Sequence, residues 1–168
     1  MAGLSGAGLH CGVDLNAGAL AQAAIAAGGA LFACAGLAAL PFGDKTFEAA
    51  CMQAVMTTLD SPNIRRGVLR EARRIVSGRL FISDFLLTPE DPYYNGRYER
   101  GLRETGEYGS FFVREGGRTL YTAHHYAPEE LVSLLEDCGF TVESVLRGKV
   151  RTRSGNVING VQVAARRV

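Results

Sequence analysis

Along this chain, short unbroken apolar runs alternate with stretches whose apolar positions recur every three or four residues. Residues 10–15 form one such run, closed by an acid, and read as a strand. Asn16 can cap a helix over residues 17–27, which is rich in alanine, the strongest helix former. Gly28 and Gly29 end it, residues 30–34 resume as a strand, and Pro41 closes a loop over residues 37–42. Strand, helix and strand with short connections are the signature of a parallel crossover. A second cycle starts after the turn at residues 43–45. Residues 47–55 are apolar without alternation, as in a strand buried on both faces. Pro62 suits a first helical turn, and Val68, Leu69, Ala72, Ile75 and Val76 give the following helix, residues 64–76, its apolar stripe. Ser77 and Gly78 read as its end, and residues 80–85 as another buried strand.

Residues 86–126 break this rhythm with Tyr93, Tyr94, Tyr98, Tyr108, Phe111, Phe112, Tyr121 and Tyr126 set among glycines and charges. Residues 111–114 and 119–122, joined by a turn with two glycines, predict a hairpin, so the segment reads as an aromatic-rich insert or lid. Residues 128–138 form an amphipathic helix with an acidic first turn, closed by Gly139. Residues 141–146 and 157–165 are the last two strands, joined by a basic loop over residues 147–156. The whole is an α/β chain of 168 residues, the size of a single domain, without internal repeats.

Composition changes this picture little. Apolar residues make up 47% and charged residues 21%, which excludes disorder, and a net charge of +1 gives no pull toward nucleic acid or anionic membrane. Charge is unevenly placed: before Asp60 only Asp14, Asp44, Lys45 and Glu48 are charged, as expected of buried parallel strands and their helix. Residues 17–42 are long enough to span a bilayer, but they are mostly Ala and Gly, are interrupted at Gly28 and Gly29, and have no basic flank. Cys11, Cys34, Cys51 and Cys138 show no paired spacing, which points to free thiols, no metal and a reduced, cytoplasmic setting.

In an open parallel sheet, ligands bind beyond the carboxyl ends of the strands. The candidates there are Asp14 to Asn16, the loop at Gly36 and Leu37, the strand end at Met52 to Val55, and Asp84. A carboxylate at position 14 can accept hydrogen bonds from both hydroxyls of a ribose, or merely help cap the helix that follows. Gly12-Val13-Asp14-Leu15-Asn16, then Leu40-Pro41-Phe42 with Asp44 and Phe47, then Arg74-Ile75-Val76-Ser77-Gly78, then Glu129-Glu130-Leu131 with Gly139-Phe140 follow in order. Together they resemble the landmarks of class I S-adenosylmethionine-dependent methyltransferases, from about residue 10 to the C-terminus. The resemblance implies a Rossmann-like three-layer α/β sandwich with a mostly parallel sheet and an antiparallel last strand. It implies S-adenosylmethionine as cofactor, with Asp14 on the ribose, Leu15, Gly36 and Leu37 around the adenine, and Gln53 near the amino-acid part.

Two departures from the family pattern stand out. Gly36 occupies a place where the family usually carries an acid or amide that reads the adenine. A first strand, a glycine-rich loop and a helix, together about 30 residues, should also precede the Asp14 strand. Only nine residues precede His10, and Gly3, Gly6 and Gly8 read as a flexible leader. The expectation is therefore an N-terminally incomplete domain, from truncation or a misplaced start.

Methyl transfer asks for alignment of a nucleophile, and for a base only when the acceptor must lose a proton. His124 and His125 are the candidate base or acceptor-orienting residues, against a reading as a polar hairpin edge. Tyr93, Tyr94, Tyr98 and Tyr108 can line an acceptor pocket or simply pack the insert. The expected partner is a small-molecule acceptor, with neither nucleic acid nor membrane, and self-association is left open. The rival functions are a non-catalytic remnant that serves as an interaction module, and an NAD-dependent oxidoreductase, which would share Asp14 but not the other landmarks.

Overall fold

The computed structural model describes residues 8, 10–27, 29–152 and 154–168. The expectation of a glycine-rich leader falls on residues 1–9 and, Gly8 apart, lies outside the described residues. The chain divides into two compact units, Met1–Phe42 and Gly43–Val168.

The first unit holds strand β1 (Cys11–Asp14), helix α1 (Ala17–Ala26) and strand β2 (Leu31–Cys34). The two strands pair in parallel, with Cys11 opposite Leu31 and Asp14 opposite Cys34. Asn16 caps α1 as expected, its side-chain oxygen accepting from the Ala19 N–H at 3.0 Å.

The second unit begins with β3 (Phe47–Gln53), a 3-10 turn (Met56–Thr58), α2 (Pro62–Ile75) and β4 (Val76–Phe85). Next come α3 (Pro92–Thr105), a hairpin of β5 (Ser110–Glu115) and β6 (Arg118–His124), and α4 (Pro128–Asp137). The strands β7 (Phe140–Arg151) and β8 (Val157–Arg167) end the chain. Four strands form one mixed sheet in the order β3-β4-β8-β7, in which β3 and β4 are parallel and β8 runs antiparallel to both its neighbours. Val68, Leu69, Ala72 and Ile75 of α2, Leu80 and Ile82 of β4, and Leu131 and Leu135 of α4 are all buried. Removing their apolar surface from water, at about 25 cal/mol per Å², is the main force holding helices to the sheet.

Several boundaries differ from those read in the sequence. Residues 86–126 contain a full helix, α3, besides the hairpin. Asp91 caps it by accepting from the N–H groups of Tyr93 (2.9 Å) and Tyr94 (3.3 Å), and Pro92 opens its first turn. Its buried face is Tyr94, Tyr98 and Gly101, an i, i+4, i+7 series diluted by glycines and charges. Gly101 is set by close approach, because a Cβ there would collide with the backbone carbonyl of Ser110. Ser77 and Gly78 do not end α2, since β4 begins at Val76 directly after the helix. The first half of the expected basic loop is strand, because β7 continues to Arg151, while β8 starts at Val157 as expected. Arg147 and Lys149 reach Glu129 and Glu90 at 3.4 and 3.0 Å, so much of that basic character is paired.

Candidate functional site

At the carboxyl end of the β1–β2 pair the chain turns twice, and the turns are tied together. The Ala35 N–H donates to the Asp14 carbonyl at 3.2 Å, and the Cys34 thiol donates to the Leu15 carbonyl at 3.5 Å. Asp14 and Leu15 thus lie beside the segment leading to Gly36 and Leu37. The Asp14 carboxylate is exposed, and one oxygen accepts from the Asn16 N–H at 2.8 Å. Its second oxygen has no hydrogen bond among the described residues. Leu15 is 74% exposed, and a Cβ at Gly36 would meet nothing within 4 Å.

In the second unit, the carboxyl ends of β3 and β4 meet the strand-like stretch after β6. Gln53 is exposed at the end of β3, opposite Ser83. Tyr126 bridges to Leu86, and its hydroxyl donates to the Met56 carbonyl at 2.8 Å, which draws His124 and His125 to this rim. Asp84 is buried beneath it and accepts from the N–H groups of Phe85 (2.8 Å) and Thr57 (3.2 Å). Burial pushes its carboxyl up to about 6, against the opposing pull of those backbone bonds. The Thr57 hydroxyl is buried here and has no hydrogen-bond partner among the described residues.

His125 is 4% exposed and packs among Phe85, Tyr94, Tyr98 and Phe111. Its Nδ1 lies 2.8 Å from the Tyr98 hydroxyl, which itself accepts from the Thr88 N–H at 3.3 Å. Among the described residues Nδ1 is the one hydrogen-bond acceptor for the Tyr98 proton, so Tyr98 donates to it and the neutral ring carries its proton on Nε2. Burial, with the charges of His124 and Arg97, pulls His125 down to about 3. The same burial raises the Tyr98 phenol well above its usual range.

His124 has the opposite surroundings. Arg65, 1% exposed, donates to both Glu107 oxygens at 2.6 and 2.9 Å, and to the Leu59 carbonyl at 2.9 Å. The Ser110 hydroxyl donates to Glu107 at 2.5 Å and lies 2.8 Å from His124 Nδ1. Ser110 has one proton and it points at Glu107, so Nδ1 must donate to Ser110. Nε2 lies 2.9 Å from Glu130, a contact that needs a second proton between them. Arg65, His124, Glu107 and Glu130 then form a quartet without net charge, which spares the interior an uncompensated ion. Burial pushes the Glu107 carboxyl up, but hydrogen bonds from Arg65 and Ser110 and the charge of His124 outweigh it and hold it below the usual range. One oxygen or nitrogen from each of Glu107, His124 and Glu130 lies within 4.8 Å of the others, as a metal site would need, yet Arg65 and Ser110 already engage those donors. A cleft of about 300 Å³, lined in part by Arg65, Glu107, Glu130 and Asp137, opens beside the quartet.

A family model described as a methyltransferase domain matches residues 3–82. A crystal structure of a S-adenosylmethionine-dependent methyltransferase from Methanosarcina mazei is 31% identical, with a TM-score of 0.87, over 94% of this chain and 81% of that one. This chain belongs to the S-adenosylmethionine-dependent methyltransferases. A protein from Pyrococcus horikoshii (18% identical, TM-score 0.68, over 96% and 73% of the two chains) has the same fold. So does the Burkholderia thailandensis 1,6-didemethyltoxoflavin-N1-methyltransferase, solved with its substrate and S-adenosylhomocysteine (18%, 0.63, over 94% of this chain and 60% of that one). No match is found among curated proteins.

For a methyltransferase, the donor set at the β1–β2 end suits a nucleoside. It offers an exposed carboxylate with a free oxygen, an apolar Leu15, and open space over Gly36. The four tyrosines do not share one open pocket. Tyr94 and Tyr98 belong to a buried cluster with Phe111, Ala123 and Ile158, whereas Tyr93 and Tyr108 are 56% and 45% exposed. The quartet was missed from the sequence, although one signal was legible. Arg65 falls on the same i, i+3, i+4, i+7 stripe as Val68, Leu69 and Ala72, where a charge must find a buried partner.

Proposed function

We propose that this methyltransferase transfers a methyl group from S-adenosylmethionine to a small-molecule acceptor. What supports the reading is the 31% identity to a S-adenosylmethionine-dependent methyltransferase over nearly the whole chain. Asp14 holds the ribose diol, and Leu15, Gly36 and Leu37 flank the adenine. When bound, S-adenosylmethionine supplies a methyl group already activated by its sulfonium, so the chain's task is placement. His125 orients the acceptor through its Nε2–H, with Tyr98 fixing the ring from behind. His124, held by Ser110 and Glu130, fixes the segment that carries His125. Tyr93 and Tyr108 face the acceptor while Tyr94 and Tyr98 support them, so residues 86–126 act as a lid on a single domain. A small acceptor suits a chain of net charge +1, and the Burkholderia enzyme of the same fold was solved with 1,6-didemethyltoxoflavin, a small molecule, bound.

A second reading, an interaction module that keeps the fold without the reaction, is favoured by Gly36, which cannot read the adenine through a side chain. Incubation with methyl-labelled S-adenosylmethionine and a metabolite extract separates the two. Label should enter the low-mass fraction and fall at least about tenfold with Asp14→Ala, the loss expected when a charge-assisted bond is removed. Label found only in polymer, or none at all, contradicts the proposal.

A further inference from the structure

We propose that a second cleft, between α3 and β5 and lined by Tyr93, Gly96, Arg97, Arg100, Phe112 and Arg114, binds a phosphorylated small molecule. Three of those six residues are arginines and none is acidic, in a chain whose basic and acidic residues number 18 and 17. Such local excess of one sign is costly by self-repulsion unless a counter-charge is supplied.

Two of the three guanidinium groups are held in place. Arg97 donates to the Tyr93 hydroxyl at 2.9 Å and to the Phe112 carbonyl at 3.4 Å, and it stacks 4.3 Å from the Phe111 ring centre. Those two bonds leave three of the five N–H donors of a guanidinium unspent. Arg114 lies 5.1 Å over the Phe112 ring and reaches one acid, Glu104, at 3.1 Å. Arg100, one turn beyond Arg97, is exposed and has no hydrogen-bond or ion-pair partner among the described residues. Forked donors, two of them fixed on aromatic faces, suit a planar or tetrahedral oxyanion, and two guanidinium groups without an acidic partner among the described residues, Arg97 and Arg100, favour the charge of a phosphate over a single carboxylate.

Gly96 is the second, independent observation. A glycine inside a helix costs about 1 kcal/mol relative to alanine. Gly101 in the same helix is explained by its contact with the Ser110 carbonyl, but a Cβ at Gly96 would meet nothing within 4 Å. No packing requires Gly96. Its missing side chain leaves the cleft, about 310 Å³, open between Tyr93 and Arg100.

The inference does not rest on methyl transfer, although it shares Tyr93 with the proposed acceptor set, and its test needs no cofactor. Calorimetric titration of the full chain with inorganic pyrophosphate at low ionic strength should give one saturable site. Arg100→Glu should weaken it at least about tenfold, and Gly96→Leu should abolish it, with thermal melts of both variants still cooperative. No saturable heat up to about 10 mM, or equal affinity in all three proteins, overturns the proposal. A phosphate could also be presented by a lipid headgroup, so vesicles carrying phosphatidic acid form the other arm. The chain should stay in the supernatant, and sedimentation with vesicles that Arg100→Glu abolishes would overturn the small-molecule reading.

Discussion

His124 and His125 are neighbours in sequence and opposites in chemistry. His125 accepts from a phenol and sits in an aromatic cage, so it stays neutral, while His124 lies between two carboxylates and a serine whose single proton is already committed. Ring nitrogen NMR at pH 7 should therefore show His125 as the Nε2–H tautomer and His124 with a proton on Nδ1. Two neutral rings of the same tautomer would refute the hydrogen-bond accounting. Asp84 makes a separate prediction. Its folded value of about 6 lies above its ordinary 3.8, so the stability that it contributes is complete below about pH 4 and is lost as pH rises through 6. Between those limits, wild type should lose roughly 3 kcal/mol relative to Asp84→Asn, which cannot ionise. Parallel denaturation curves at pH 4 and pH 7 would show that the carboxyl is not shifted. Neither His124 nor Asp84 could be assigned a charge state from the sequence, because each depends on partners 6 to 27 residues away.

Helix α3 shows what hydropathy reading can miss. Its cap, Asp91-Pro92, and its Tyr94, Tyr98, Gly101 spacing are ordinary helix signals, but six other Tyr and Phe side chains within residues 86–126 and the obvious hairpin drew the reading toward an insert without a helix. Its two internal glycines should respond in opposite directions. Gly101→Ala forces a Cβ into the Ser110 carbonyl and should cost about 2–3 kcal/mol, whereas Gly96→Ala should gain about 1 kcal/mol. Urea denaturation measures both, and a neutral Gly101→Ala would mean that α3 does not sit this close to β5. The strands β1 to β4 and helix α4 were legible within a few residues; in β4 and α4 the apolar pattern follows burial, whereas β1 and β2 hold no buried side chain and β3 buries only Met52. The length of β7 was not, since a charged edge strand carries little hydropathy contrast beyond its middle.

Across the molecule, the four-stranded sheet is mixed rather than mostly parallel, and its antiparallel final pair agrees with the antiparallel last strand that the resemblance implied. Among the described residues, β1 and β2 form a separate parallel pair. No helix among them is long and apolar enough to cross a membrane, in keeping with the glycine-broken character of residues 17–42. The most direct test of the whole account is calorimetric titration of the chain with S-adenosylhomocysteine. One saturable site, weakened at least about tenfold by Asp14→Ala, is the expected result. Absence of saturable heat, or tight binding of NADH in its place, would contradict it.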